Sequence, residues 1–272
     1  MDELVIEAGH EGRHYWRDLW LYRELFYFLA WRDLLIRYKQ TVVGISWSVV
    51  KPLLTMLVLT LVFGKISQMP AAGVPYPLLV LCGMLPWQFF STALTESGGS
   101  LVLNTNLITK VYFPRLIVPA SSIITSLADF AISAVILVGL MVWYRFTPPW
   151  NILFLPVWIL LLLATSLGTG IWIAALTVKY RDFRFVVPFV LQFGLYVSPV
   201  GFVSTVIPRP YRLFYFLNPL AGIIDGFRWS LLGGAHTLQA PALVMSLTVT
   251  ILVIVTGVWY FRSTERRFAD LI

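Results

Sequence analysis

Four basic residues in the stretch 31–52, WRDLLIRYKQTVVGISWSVVKP, are the side chains best suited to bind an anionic group. They are Arg32, Arg37, Lys39 and Lys51. Arg and Lys donate charge-assisted hydrogen bonds to phosphate oxygens. The same charges beside an apolar segment also orient a membrane protein, because Lys and Arg favour the cytoplasmic side. Lys51 falls inside an apolar segment, where it needs a partner, a wet cavity or a route to the interface by snorkelling. Both interpretations of the four residues stay open.

Acidic and nucleophilic side chains are sparse. Glu96 and Asp129 are the carboxylates nearest the interiors of apolar segments, and Asp129 fits either proton coupling or a structural hydrogen bond. The three histidines are scattered, and no HExxH, GxSxG or GxxxxGK[ST] pattern occurs. Cys82 is the only cysteine, which excludes an intrachain disulfide and a thiolate metal cluster. We therefore expect no catalytic residue, metal or cofactor in this chain. If transport is driven by ATP, another polypeptide must bind it.

Aromatic residues make up 15% of the chain. Their faces can stack on the apolar faces of sugar rings, although belts at both membrane interfaces account for most of them. Those in the expected pathway positions are the candidates for contact with a sugar chain. They are Trp47, Trp172, Phe193, Tyr196 and Phe202.

The composition, with 58% hydrophobic and 12% charged residues, predicts an all-α polytopic membrane protein. We expect residues 1–41 to form a cytosolic tail and a helix at the cytoplasmic interface. Residues 263–272 are expected to form a second cytosolic tail. A cleavable signal peptide is not expected, because the first residues are acidic and polar. Between the tails, six stretches reach the spanning length. They are about 42–66, 77–95, 116–144, 152–178, 186–207 and 242–261. Pro and Gly interrupt the fifth, which makes it a candidate pathway element.

The charge distribution predicts that both termini lie in the cytosol. Six spans place 15 of the 20 Lys and Arg residues inside. The other five are Lys65, Arg145, Arg209, Arg212 and Arg228. A seventh crossing near 211–232 would move the C-terminal basic cluster outside, so we expect two short helices there that dip into the outer leaflet. The net charge of +7 indicates anionic lipid headgroups and topology, not nucleic acid.

Four stretches in order resemble the permease subunits of ABC-2-type polysaccharide exporters, which export O-antigen, capsular polysaccharide and teichoic acid. They are WRDLLIRYKQTVVGISWSVVKPL, ITKVYFPRLIVPASSI, VKYRDFRFVVPFVLQFGLYVSPV and NPLAGIIDGFRWSLLG. The resemblance implies a homodimer with two cytosolic ATP-binding subunits in a bacterial cytoplasmic (inner) membrane. It also implies a lipid-linked glycan substrate, whose diphosphate we expect some of the four basic residues to receive.

The resemblance further implies roles for three short segments. The loop 96–115 corresponds to the coupling helix that docks on the ATPase, and its polar residues are Asn104, Asn106, Lys110 and Arg115. The segment 179–185 corresponds to a gate helix, with Arg181, Asp182 and Arg184. The segment 211–232 corresponds to the short outer helices that cap the exit.

Three other functions remain open. An ABC-2 permease for a small lipid or drug would share the topology. A membrane-embedded glycosyl or acyl transferase would need carboxylates or His at one membrane face. A proton-coupled transporter would work through Asp129 without an ATPase.

Overall fold

A computed structural model describes residues 15–39, 42–71, 73–233, 240–265 and 267–268, with only the backbone described for 42–45. The predicted tail 1–14, most of the C-terminal tail and all three histidines lie outside these ranges. The described chain forms helices and connecting turns. The α-helices are α1 (Tyr15–Leu21), α2 (Arg23–Lys39), α3 (Val42–Leu59), α4 (Tyr76–Leu103), α5 (Thr105–Lys110), α6 (Ile117–Trp143), α7 (Leu155–Lys179), α8 (Phe183–Val197), α9 (Arg212–Tyr215), α10 (Pro219–Leu231) and α11 (Ala240–Glu265).

Five described segments are long and apolar enough to cross a membrane. They are Ser46–Ile66, Tyr76–Leu103, Ile117–Trp143, Trp150–Lys179 and Ala240–Glu265. The chain is therefore an all-helical, multi-pass membrane protein, as its composition predicted. The predicted span at 186–207 differs, because its helix, α8, has 15 residues and ends at Val197. Such a helix is about 22 Å long, against a hydrocarbon core of about 30 Å. The sixth crossing stays a prediction.

Helix α4 lies at the centre and packs chiefly against α6, α7 and α10. Every residue from Leu78 to Trp87 is buried, which agrees with an apolar helix surrounded by other helices. Small residues let the neighbours approach closely. A Cβ atom on Gly170 of α7 would lie 2.4 Å from Ser97 Oγ of α4. The core therefore holds α4 in one position, and the middle of the helix, from Met84 to Glu96, also lines a cavity.

Arg228 of α10 holds the irregular segment that follows α8. Its side chain is fully buried and donates to the carbonyls of Val200 and Phe202, both at 2.7 Å, and of Leu79 at 3.3 Å. Backbone carbonyls at a broken helix end need partners where water is absent. The sequence placed Arg228 among the exterior charges, whereas the structure makes it the internal partner of these carbonyls.

The predicted interfacial helix is two helices, α1 and α2, which meet at Tyr22. Tyr15 and Leu29 are buried in a core that also contains Phe261 and Phe268. Other aromatic residues of the two helices are exposed: Trp16, Trp20, Tyr27, Phe28 and Trp31. Exposed Trp and Tyr side chains fit the headgroup level of a membrane. The pair α1–α2 is thus anchored to the helix bundle on one side only.

Two predicted boundaries need correction. The predicted loop 96–115 begins inside α4, which continues to Leu103, and Asn104 separates it from α5. The predicted gate helix 179–185 is not a helix of its own. Helix α7 ends at Lys179, Tyr180 is extended, and α8 begins at Phe183 after a turn at Arg181 and Asp182. The Asp182 carbonyl accepts the amides of Phe185 and Val186, so the helical ladder starts there.

The stretch 211–232 forms the two short helices α9 and α10. The side chain of Asn218 caps α10 by accepting the backbone amide of Leu220 at 3.1 Å. Pro219 occupies the first helical position, where a backbone N–H would have no partner within the helix, so the missing N–H of proline removes no helical hydrogen bond. The Asn-Pro pair therefore starts a new helix instead of continuing α9.

Candidate functional site

A polar cavity of about 570 Å³ lies between α3, α4, α6 and α8, and Arg37 from α2 closes one end. The hydrophilic lining residues from the four helices carry hydroxyl, amide, carboxylate and ammonium groups. They are Ser48, Lys51 and Thr55 (α3); Gln88, Ser91, Thr92, Thr95 and Glu96 (α4); Asp129 and Ser133 (α6); and Gln192 (α8). Such groups are costly in lipid unless they line a wet cavity. Their convergence makes this cavity the candidate functional site.

The spacing of these residues explains how ordinary helices build the site. On α4 the residues Ser91, Thr92 and Thr95 follow Gln88 by three, four and seven positions, which puts all four on one helical face. Residues 48, 51, 52 and 55 of α3 and residues 188, 191, 192, 195 and 196 of α8 repeat the pattern. Each helix thus presents one stripe to the cavity and its other faces to protein or to the membrane.

Arg37 binds both carboxylates at the end of the cavity. Its guanidinium donates to Glu96 Oε1 at 2.6 Å and forms an ion pair with Asp129. Glu96 belongs to α4 and Asp129 to α6, so one side chain of α2 joins three helices. The positive charge of Arg37 balances one of the two carboxylates, so the three side chains together carry one net negative charge. We call Arg37, Glu96 and Asp129 the ion-pair cluster.

Hydroxyl groups complete the ion-pair cluster. Tyr38 donates to Asp129 Oδ1 at 2.6 Å, Ser48 donates to the same atom at 3.2 Å, and Thr125 donates to Glu96 Oε2 at 3.1 Å. Burial raises the pKa of the Tyr38 hydroxyl to about 12, and its hydrogen bond to Asp129 acts in the same direction. Tyr38 therefore stays protonated at neutral pH and serves as a donor.

The four basic residues singled out in the sequence do not act as one set. Arg37 and Lys51 line the cavity, whereas Arg32 and Lys39 do not. Arg32 donates to Asn104 Oδ1 at 2.8 Å and pairs with its neighbour Asp33. Lys39 is exposed. Lys51 has no ion-pair partner among the described residues, which leaves its ammonium group available to an anion in the cavity.

Two of the five predicted aromatic residues line the cavity. Trp47 and Tyr196 do so, and both are more than half exposed. Trp172 does not line the cavity and lies against Gly257 of α11. The Phe193 ring lies 4.7 Å from the ring of Phe189 on its own helix, tilted by 51°. Phe202 contacts Phe63, with 6.3 Å between ring centroids.

Three further aromatic residues of the lining were not singled out in the sequence. They are Trp87, Phe89 and Phe130. Trp87 and Phe89 flank Gln88, the first residue of the polar stripe on α4, and that adjacency is the signal that could have identified them. Phe130 follows Asp129 directly in the same way. Aromatic rings therefore alternate with polar groups around the cavity wall.

The predicted coupling residues lie at the end of the molecule that carries Arg32. Asn104 binds Arg32, and the exposed Asn106 and Lys110 lie on α5. Arg115 instead joins the core: its amide donates to Glu265 Oε1 at 2.9 Å, and its guanidinium binds the Glu265 carbonyl. Large apolar side chains are also exposed here, at Leu103, Val111 and Tyr112.

The predicted gate residues are exposed. Arg181 and Asp182 form the turn before α8, and Arg184 lies in the first turn of that helix. The Arg184 guanidinium lies 4.8 Å above the Phe185 ring centroid. None of the three lines the cavity, although residues further along α8 do, from Pro188 to Tyr196.

The lining supplies hydrogen bonds, ring faces and the ammonium group of Lys51, which has no ion-pair partner among the described residues. The carboxylates that line it, Glu96 and Asp129, are both bound to Arg37. Such a site can bind and pass a polyhydroxylated or anionic molecule.

Comparison with known proteins identifies the family of this chain. The model of the ABC-2 type transporter family matches residues 24–232. An O-antigen export system permease protein RfbA of Myxococcus xanthus is 29% identical over 259 residues, which cover 94% of this chain and 98% of that protein. The RfbA protein of Klebsiella pneumoniae is 26% identical over 242 residues, covering 89% and 92%. The polysialic acid transport protein KpsM of Escherichia coli is 23% identical over 237 residues, covering 86% and 91%. The family match extends from α2 to α10 and includes every helix that lines the cavity, so this chain belongs to the ABC-2 type transporter family.

Proposed function

We propose that this chain is the permease subunit of an ATP-driven exporter that moves a lipid-linked, O-antigen-like polysaccharide across the bacterial cytoplasmic membrane. The observation that carries the proposal is the cavity lining, where hydroxyl and amide side chains alternate with the exposed rings of Trp47 and Tyr196. Ring faces and hydrogen-bonding groups together suit a sugar chain. Relatives named for O-antigen and polysialic acid transport support the same substrate class.

The cavity also supports a homodimer. Its wall is formed by α3 and α8, yet both helices expose large apolar residues beside it, among them Leu54, Leu57, Phe189 and Phe193. In a single chain the polar stripe would stand beside lipid, which is unfavourable. A second copy placed against α3 and α8 would enclose the polar surface and provide room for a hydrated glycan.

Lys51 is the residue we propose to contact the diphosphate of the lipid carrier. Its ammonium group lies in the cavity wall and has no ion-pair partner among the described residues. Arg37 is already bound to Glu96 and Asp129, so we assign it a different task, which is to hold α2 against α4 and α6. Arg32 and Lys39 would attract the anionic headgroup from outside the cavity.

The contacts of α2 suggest how ATPase movements reach the cavity. We propose that the ATPase docks on α5 and on the exposed Leu103, Val111 and Tyr112 beside it. Movement of this end would reach α2 through the Arg32–Asn104 hydrogen bond and then the cavity through Arg37. The chain of contacts is continuous, which makes it a physical candidate for coupling.

The proposed topology has six spans and both termini in the cytosol. In this arrangement α8 and the segment held by Arg228 together complete the fifth crossing, and α9 and α10 lie in the outer leaflet. ATP and Mg would be bound by two separate ATP-binding subunits. The ion-pair cluster and α5 then share the cytosolic end of the molecule.

The function is tested by reconstituting the permease with its ATPase in vesicles and measuring ATP hydrolysis. We expect stimulation by a lipid-linked glycan and little by the lipid carrier alone. Stimulation by small amphiphiles instead would indicate a drug or lipid permease. Hydrolysis that ignores every glycan, or transport that stops only when the proton gradient collapses, would contradict the proposal.

The homodimer is tested by cross-linking between α3 and α8. A Leu54→Cys, Phe193→Cys double variant should form a disulfide-linked dimer upon oxidation, because both positions flank the open side of the cavity. Val157→Cys is the matched control, since Val157 is 57% exposed on α7, away from the cavity. Equal dimer yields from both variants would show collisional cross-linking and would remove this support for the dimer.

A further inference from the structure

We propose that a second cavity, between α6, α7 and α10, binds one anionic membrane phospholipid, with its phosphate at Arg145 and an acyl chain along α6. The cavity has a volume of about 590 Å³, and apolar side chains form nearly all of its wall. The residues of α6 that line it share one helical face: Phe130, Ala134, Leu137, Val138, Met141 and Val142. The opposite wall comes from Ile152, Leu155 and Ile159 and from Phe227 and Leu231.

The length and depth of this cavity fit one leaflet of a membrane. It extends along α6 from Phe130, at the middle of the helix, to Arg145, just beyond its end. That distance is about 22 Å at 1.5 Å per residue. Trp143 and Trp150 are 81% and 71% exposed beside Arg145, and exposed Trp marks the level of the headgroups. The cavity therefore runs from the headgroup level to the membrane centre, as an acyl chain does.

Among the described residues of the wall, Arg145 carries the one formal charge, and this charge defines the headgroup. Arg145 is exposed at the rim, and its guanidinium has no ion-pair partner in the described part of the chain. Thr147 adds a hydroxyl beside it. A guanidinium and a hydroxyl at headgroup depth can bind a phosphate by charge-assisted hydrogen bonds. An isolated positive charge favours an anionic lipid over a zwitterionic one.

The cavity opens toward the membrane and not toward the transport cavity. Val138 and Val142 are 58% and 73% exposed although both line it, so a lipid can enter from the side. Leu85 and Phe130 border both cavities and separate them. An apolar wall cannot satisfy the hydroxyl groups of a glycan. The occupant that fits is therefore a lipid from the bilayer, packed between α6 and α10.

The experiment measures lipid retained by the purified chain. The protein is extracted, incubated with equal amounts of palmitoyl-oleoyl phosphatidylglycerol and phosphatidylcholine, and analysed by native mass spectrometry. We expect one retained phosphatidylglycerol per chain and about a fivefold preference over phosphatidylcholine, the contribution of one basic residue near a membrane surface. Val138→Trp should reduce retention at least tenfold, because the indole would fill the cavity.

Matched variants distinguish a site from general lipid adhesion. Val135→Trp is the control, since Val135 is 72% exposed on the same helix but does not line the cavity. Arg145→Asn should abolish the lipid preference while keeping the backbone, because Asn tolerates the left-handed conformation at φ 53°. Arg145→Lys should keep it. Equal retention by the two Trp variants, or an unchanged preference in Arg145→Asn, would overturn the proposal, as would preferential retention of an added polyprenyl carrier.

Discussion

Replacing Arg37 by Gln should loosen the contact of α2 with α4 and α6. The guanidinium binds Glu96 at 2.6 Å and also pairs with Asp129, and the side chains of the three residues are 30%, 34% and 24% exposed. Unit charges 4 Å apart attract by about 4 kcal/mol at the effective dielectric constant of a protein surface and by about 1 kcal/mol in water. With this partial exposure, we expect the substitution to destabilise the fold by about 2 to 4 kcal/mol, part of which is the repulsion between the two carboxylates left behind.

The first assay is thermal unfolding of the purified chain. A loss of this size should lower Tm by about 5 °C or more. Lys39→Gln is the control, because Lys39 lies on the same helix, is exposed and does not line the cavity. The Arg37→Gln, Glu96→Gln double variant should be less destabilised than the sum of the single variants by about 1 to 2 kcal/mol, since it no longer contains the uncompensated Glu96 charge.

The second assay is ATP hydrolysis by the reconstituted complex. If the ion-pair cluster holds the resting position of α2, a loss of about 2 kcal/mol shifts the resting equilibrium about thirtyfold. Hydrolysis without substrate should then rise in Arg37→Gln, and the ratio of stimulated to basal hydrolysis should fall. If Arg37→Gln matches Lys39→Gln in thermal unfolding and in hydrolysis without substrate, or if the double variant is strictly additive, the ion-pair cluster does not join the helices as argued.

Three further changes test the packing and the pathway. Gly83→Ala should destabilise the chain by about 1 to 3 kcal/mol, because its Cβ would lie 2.7 Å from Arg228 Nη2. Gly139→Ala is the control and should not lower Tm, because the space around its Cβ is open. Equal effects of the two substitutions on Tm would contradict this packing. Arg228→Met should cost about 3 kcal/mol or more by leaving buried carbonyls unpaired, and wild-type Tm would refute that role. Trp47→Ala should weaken glycan-stimulated ATP hydrolysis several-fold, whereas Trp172→Ala should not; the reverse order would refute the assigned pathway.

The spans were predictable because their signal is local. Length and hydropathy identify five of them, and the Asn218-Pro219 pair marks the start of α10 without reference to any other part of the chain. The end of α8 is a different case. Pro199 indicates a break, but α8 can stop there only because Arg228, almost thirty residues later, binds the carbonyls of Val200 and Phe202. A contact between residues so far apart in the chain cannot be predicted from the local sequence around Pro199.

The same limit explains the candidate site. Arg37 was identified as a basic residue at the right depth, but its partner Glu96 is 59 residues away. Periodicity could not choose between the faces of α7, which is apolar on all sides, so Trp172 was assigned to the pathway although it packs beside α11. On α4 the polar stripe could be identified from its spacing, and the aromatic residues directly beside Gln88 could have been identified by their adjacency to it. A sequence pattern identifies the cavity-facing side of a helix where polar and apolar residues alternate. It cannot identify that side where the helix is uniformly apolar.

The exposure of α3 and α8 bears on function more than any single residue does. The central helix α4 is buried by its neighbours, whereas α3 and α8, which form the two sides of the polar cavity, leave most of their apolar residues uncovered. A cavity with polar lining and uncovered sides is stable in a membrane only if another surface closes it. That surface has to fit α3 and α8 together. A second copy related by a two-fold axis would place its α8 against α3 of the first copy and its α3 against α8 of the first copy. The enclosed cavity would then have twice the volume. In the homodimer proposed above, the pathway and the dimer interface would therefore be one structural requirement.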